Sequence, residues 1–199
     1  MKTAAMVTVA AMLGGVAWAA AESGGREVVA CIEMGPDRAD REAAAARTAA
    51  ARLFLRAGVK LEWHLGPHFC QAHKDQAIMV SLSMNTPKDL LPGALAYALP
   101  YEGVHIRVFY DRMAGAKPDL RRHLLAYVLV HEITHVLERT VRHSDSGIMK
   151  ARWDDEDFRL MPGGGLRFTV EDIELLHAGL AARATRPAPG VLVAYVTLP

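Results

Sequence analysis

The sequence lacks any imbalance of charge: 23 lysines and arginines stand against 22 aspartates and glutamates, a formal net charge of +1. A chain this close to neutral offers no broad basic face to a phosphate backbone or to an anionic membrane surface, so nucleic acid is not an expected partner. Cysteine is scarce as well, with Cys31 and Cys70 the two residues of that type. Past the first twenty or so residues there is no apolar run long enough to span a bilayer. Internal repeats are absent too, which removes the solenoid and propeller architectures. What remains is 199 residues, 51% of them apolar, enough for one well-buried core and too few for two.

The chain opens with Met1 and Lys2, followed by a run of small apolar residues over 4–21. Ala17-Trp18-Ala19 and Ala19-Ala20-Ala21 both read as small-x-small cleavage sites, and polar residues begin at Glu22. This is the pattern of a secretory signal peptide over 1–21 ahead of a mature domain over 22–199. An uncleaved anchor is the alternative reading of the same run. Export to the periplasm or the medium follows, with no membrane association once the leader is removed. An oxidising compartment allows Cys31 and Cys70 to pair, and a disulfide is expected ahead of two separate buried thiols.

Hydrophobic periodicity sets the order of elements. Residues 27–34 are β-rich, and 40–57 carries alanines and apolar residues at helical spacing up to Gly58. Strands are expected at 59–63, 77–83 and 104–110, with an edge segment over 93–103 before the last. An irregular loop is expected to hold His64, His68, Cys70 and His73. Pro118 and Asp119 begin a long helical pattern through Leu124, Leu125, Val128, Leu129, Ile133, Val136 and Leu137. A final helix spans 170–182 with Thr169 as its N-cap, and a short strand at 191–197 closes the chain. Four or five strands and three main helices make an α+β single domain.

Inside the long helix lies His131-Glu132-Ile133-Thr134-His135. Residues four apart share one helix face, so both imidazoles can reach one zinc ion at about 2.0 to 2.1 Å with Glu132 beside them. Zinc bound in this way activates water, and a neighbouring carboxylate can take the proton and deliver it to a leaving amine. Glu132 is the candidate general base. The bland alternative is a core helix with two satisfied histidines. A third ligand is needed, and His143 is the nearest downstream. On a straight helix His143 would sit about 12 Å beyond His135, so the chain must turn back, which the turn-forming residues from Ser144 to Gly147 allow.

His131-Glu132-Ile133-Thr134-His135, then His143-Ser144, then Met149, resembles the metzincin class of zinc endopeptidases. The resemblance implies a zincin-like fold: a twisted mixed β-sheet with an N-terminal packing helix, a metal-binding active-site helix and a C-terminal helix. It implies zinc on His131, His135 and His143, base catalysis by Glu132, and a tight turn containing Met149 beneath the metal. This chain departs from the usual HExxHxxGxxH: the glycine position is Glu138, the third-histidine position is Val141, and the histidine arrives two residues later. Glu171 or Glu174 from the last helix, and Asp145, stand as alternative third ligands.

Other groups of residues invite weaker readings. His64, His68, Cys70 and His73 match no standard closed zinc spacing. The acidic run after Trp153, from Asp154 to Asp157, has oxygens suited to calcium but reads equally as a solvated face. His123 lies two turns before His131 and reads as a surface or supporting residue. Tyr97, Tyr101 and Tyr110 are candidates to line a cleft. The expectation is thus a monomeric exported zinc metallopeptidase acting on peptides or proteins, an extended substrate lying along the edge near Leu95 to Tyr101. A zinc-binding protein without activity, with a structural or partner-binding role, is the alternative.

Overall fold

A computed structural model describes residues 27–33, 37–74, 76–90, 92–99 and 104–185. The expected leader over 1–21, the tail strand at 191–197 and Tyr101 lie outside the described residues. The elements in chain order are β1 (Glu27–Glu33), α1 (Asp37–Arg56), β2 (Lys60–His64), α2 (Pro67–Ala72), β3 (Ile78–Ser83), β4 (Ala96–Ala98), β5 (His105–Phe109), α3 (Tyr110–Met113), α4 (Pro118–Glu138), α5 (Asp155–Leu160) and α6 (Val170–Ala184). A 3₁₀ turn at Met161–Gly163 follows α5.

The five strands form one mixed sheet in the order β2-β1-β3-β5-β4. β2, β1, β3 and β5 run parallel, and β4 pairs antiparallel on β5 as the edge. Strand alternation sends Val28, Ala30 and Ile32 of β1 into the main core, while Cys31 joins Cys70 and Ala77 in a separate small cluster. The two sets point to opposite faces because successive side chains of a strand do.

The main face is covered by α1 and α4. Ala43, Ala46, Ala50, Leu53, Phe54 and Ala57 recur at helical spacing and are all buried, and the small alanines let α1 lie close along α4. In α4 every residue from Leu124 to Leu137 is buried. A helix apolar on all sides belongs inside the protein, and each large side chain it buries contributes roughly 1.5 to 3 kcal/mol. Pro118 starts α4 and Asp119 lies in its first turn. The helix ends at Glu138: Arg139 takes a left-handed backbone, φ 55°, and its N–H closes on the His135 carbonyl.

Two short helices were not legible as periodicity. α2 occupies part of the stretch expected to be irregular, and it presents Cys70 to Cys31 in a disulfide with a Cα separation of 5.7 Å. α5 begins in the acidic run. Asp154 caps it, accepting from the backbone N–H groups of Glu156 and Asp157, while Asp157 accepts from the Asp154 N–H. Lys150 pairs with Asp154 at 2.5 Å and Asp157 at 2.7 Å. These carboxylates form a capping box and an ion pair, so the calcium reading has no support in their contacts.

Candidate metal centre

His131 and His135 lie one turn apart on α4 and are both buried. Each ring is fixed through Nδ1: His131 Nδ1–H donates to the Ile148 carbonyl at 2.9 Å, and His135 Nδ1–H donates to the Thr140 carbonyl at 3.0 Å. A carbonyl can only accept, so the proton sits on Nδ1 and the lone pair on Nε2. The two Nε2 atoms face each other at 3.0 Å. Two lone pairs repel at that distance unless a cation lies between them. Nitrogens sharing a tetrahedral zinc at about 2.05 Å would stand about 3.3 Å apart, close to what is found.

The chain leaves α4 at Arg139 and returns. Ser144 N–H donates to the Met149 carbonyl at 2.9 Å, closing a tight loop. Gly147 in that loop has φ 77°, and a Cβ there would come within 2.2 Å of the Arg167 carbonyl oxygen. Only glycine fits both demands. Met149 is completely buried. The return brings His143 over the other rings, its centroid 5.3 Å from that of His131 and 4.9 Å from that of His135. One nitrogen from each of the three histidines lies within 4.8 Å of the others. The donor set, three neutral nitrogens and no thiolate, suits zinc with a fourth position open.

Burial and neighbours tune these groups. Desolvation lowers His131 to about 4 and His135, which also feels the other two histidines, to about 3. His143 is more exposed and is lowered by the same cause. All three are neutral near pH 7, as metal ligands must be. Burial raises Glu132 to about 7, against the pull of the Ala98 backbone amide.

A cavity of about 580 Å³ opens beside His131, Glu132 and His143. Its apolar wall includes Leu95 from the edge, Leu124 and Val128 from α4, and Trp153 and Phe158 from beyond the loop. Leu99 N–H bonds the His105 carbonyl and Phe109 N–H bonds the Leu95 carbonyl. By alternation the backbone groups of Ala96 and Ala98 turn away from β5, toward the open edge.

The other sequence candidates fall elsewhere. Glu171 pairs with Arg142 at 2.6 Å, and neither it nor Glu174 nor Asp145 shares the histidine cluster. His123 lines a separate small cavity with Arg52, Arg56 and Tyr127. Phe69 is stacked between His64 and His73, centroids 3.7 and 4.1 Å away, so those two rings cannot share an ion, and Cys70 is in the disulfide. Tyr110 is buried with its hydroxyl donating to Glu42, so it does not line the cleft, and Tyr97 packs on Phe109. Trp153, Arg142, Ser144 and Asp172 were missed as contributors. Asp172 had a readable signal, the Thr169-x-x-Asp172 capping box ahead of an apolar run.

No protein-family model matches the sequence, and no curated protein matches it. Among solved structures the chain is similar to archaemetzincin from Methanopyrus kandleri, with a TM-score of 0.51 at 16% identity over 79% of this chain and 97% of that one. At that identity the likeness is one of fold: this chain is a single zincin-like α+β domain with a mixed sheet and helices packed on it.

Proposed function

We propose that the chain is an exported zinc metallopeptidase that hydrolyses peptide bonds as a monomer. The observation that carries this reading is the convergence of His131, His135 and His143, their donor nitrogens within 4.8 Å of one another, beside a buried carboxylate at the wall of an open cavity. The archaemetzincin-like fold is consistent with it.

The three histidines would hold the ion, and the Nδ1 bonds of His131 to the Ile148 carbonyl and of His135 to the Thr140 carbonyl fix tautomer and ring orientation at those two. Zinc, when bound, supplies Lewis-acid polarisation of a carbonyl oxygen and lowers the pKa of a water. Glu132 takes a proton from the attacking water as its oxygen adds to the scissile carbonyl carbon. The same carboxyl then gives that proton to the amide nitrogen as the carbon–nitrogen bond breaks, leaving a free acid and a free amine. Burial raises this carboxyl and a bound cation would draw it back down; a carboxyl held between these opposing effects can both take the proton and return it. Outward backbone groups of β4 offer an extended peptide a strand to pair with, and the apolar cavity receives a side chain next to the scissile bond.

Export is supported by the leader pattern in the sequence and by the Cys31–Cys70 disulfide, which persists in oxidising compartments. The deciding experiment is elemental analysis of the mature protein and of His143→Ala, with peptide hydrolysis assayed in parallel. One zinc per wild-type chain, weakened binding in the variant and metal-dependent cleavage are expected. Absence of zinc from wild type would sink the reading.

A further inference from the structure

Between His135 and His143 the chain contains no glycine, and it leaves α4 through the left-handed Arg139. Within that stretch Thr140 is tied back to His135 and the Arg142 N–H donates to Thr140 Oγ1 at 3.1 Å, but these bonds stop short of His143 itself. Its two neighbours, however, are fastened to one carboxylate. On one side Arg142 Nη1 donates to Asp172 Oδ1 at 3.2 Å while Nη2 lies 2.6 Å from Glu171 Oε2. On the other side the Ser144 hydroxyl donates to the same Asp172 Oδ1. Arg142 and Ser144 also touch each other, Nη1 to Oγ at 3.1 Å.

Asp172 is itself held. It is completely buried, its Oδ2 accepts the Thr169 N–H at 2.9 Å, and its own N–H donates to Thr169 Oγ1 at 3.1 Å. Burial alone would raise its carboxyl, but hydrogen bonds from Ser144, Thr169 and Arg142 outweigh that and keep it ionised. The helix it begins is locked onto α4: a Cβ at Gly179 would lie 2.3 Å from the Leu137 carbonyl oxygen, so the backbones of α6 and α4 are in direct contact. The carboxylate that grips both sides of His143 is therefore tied to the same helix that carries His131 and His135.

We propose that Asp172 is a positioning residue that sets the third donor, clamping His143 through Arg142 and Ser144 at the spacing one metal ion requires. The inference rests on the zinc reading above. It replaces a turn that would do this by backbone shape with one that does it by a buried charge at a helix start. Outer-shell partners of metal ligands typically govern affinity by roughly 10- to 100-fold.

The test measures zinc affinity by competition with a chromophoric chelator, and the visible spectrum of the cobalt-substituted protein, for wild type and five variants. Asp172→Asn keeps size and an oxygen that can still cap α6. Ser144→Ala removes one arm of the clamp. Thr169→Ala removes the capping hydroxyl but leaves both arms, so it reports a merely structural weakening. His143→Ala sets the floor, and His143→Ala/Asp172→Asn shows whether Asp172 acts through His143. Expected are a roughly 10- to 100-fold loss for Asp172→Asn with an altered cobalt spectrum, a smaller loss for Ser144→Ala, and wild-type affinity at a lowered melting temperature for Thr169→Ala. The double variant should match His143→Ala. Wild-type affinity and spectrum in both Asp172→Asn and Ser144→Ala, or a double variant far weaker than His143→Ala, would overturn the clamp while leaving the zinc reading intact. A wild-type protein that binds no zinc would instead remove the reading beneath it.

Discussion

The indole of Trp153 stands edge-on to the imidazole of His131, ring centroids 5.6 Å apart and planes at 84°. The same indole meets Tyr127 edge-on at 6.4 Å, so this cavity-wall side chain packs on two aromatic rings of the metal helix. Aromatic pairs in this geometry add about 0.5 to 1.5 kcal/mol each beyond their buried area. Trp153→Ala should lower stability by about 2 to 3 kcal/mol, less than a fully buried tryptophan because Trp153 keeps some exposure. It should leave one zinc per chain and cut kcat/KM roughly tenfold or more for peptides with a large apolar side chain at the cavity, but not for those with a small one. Denaturant titration and a paired-peptide assay read both effects. Equal losses on both peptides would show that the wall does not select.

Glu132 is the group that separates an enzyme from a zinc-holding protein. A purely structural site has no use for a buried carboxylate next to its ligands at the cavity wall. Glu132→Gln keeps volume and a hydrogen-bond acceptor but cannot take a proton. Turnover should fall by roughly 10²- to 10⁴-fold while zinc content stays at the wild-type level. Retained turnover would remove Glu132 as the base.

Which features could be read beforehand follows from their physics. β1, β3, β5, α1 and α4 announce themselves because each buries a face, and burial imposes a period of two or of 3.6 on the sequence. The HEITH pair was legible for the same reason, since its spacing is a helix repeat. α2 and α5 span six residues each, too few turns for a period to emerge, and their signals are a proline and a capping box instead. The convergence of His143 was foreseeable only as a requirement. Its means, a carboxylate at Asp172 nearly thirty residues downstream, is a long-range contact that no local pattern encodes. Trp153 was missed because it sits next to an acidic run that draws attention to its charge.

The disulfide should stabilise the fold without touching the metal centre. Cys31 and Cys70 are 39 residues apart, and closing a loop of that length removes chain entropy equivalent to about 4 kcal/mol as an upper figure. Their cluster lies on the sheet face away from α4. Reduction, or Cys31→Ser with Cys70→Ser, should cost about 2 to 4 kcal/mol in denaturant titration and leave zinc affinity unchanged. A variant as stable as wild type would show that the bridge constrains little.

Glu138 gives the fold a pH dependence of definite sign. Both of its carboxylate oxygens are buried without a hydrogen-bond partner. Burial raises its carboxyl to about 7, helped by Asp172 and Glu171 and opposed by Arg142. The folded state therefore holds this proton more tightly than the unfolded chain, whose carboxyl titrates near 4.5. The group is least unfavourable to folding below about pH 4.5, and stability is lost as pH rises toward 7, after which no more is lost from this source. A shift of this size corresponds to about 3 kcal/mol. Partial exposure of the side chain and solvent screening reduce that to roughly 1 to 2 kcal/mol. Glu138→Gln resembles the protonated form at every pH. The variant and wild type should thus be nearly equal in stability at about pH 4.5, and the variant should be more stable by roughly 1 to 2 kcal/mol at pH 8. Denaturant midpoints across that range test this, and a difference that shrinks with rising pH would mean that the Glu138 carboxylate is ionised and paired in the folded protein.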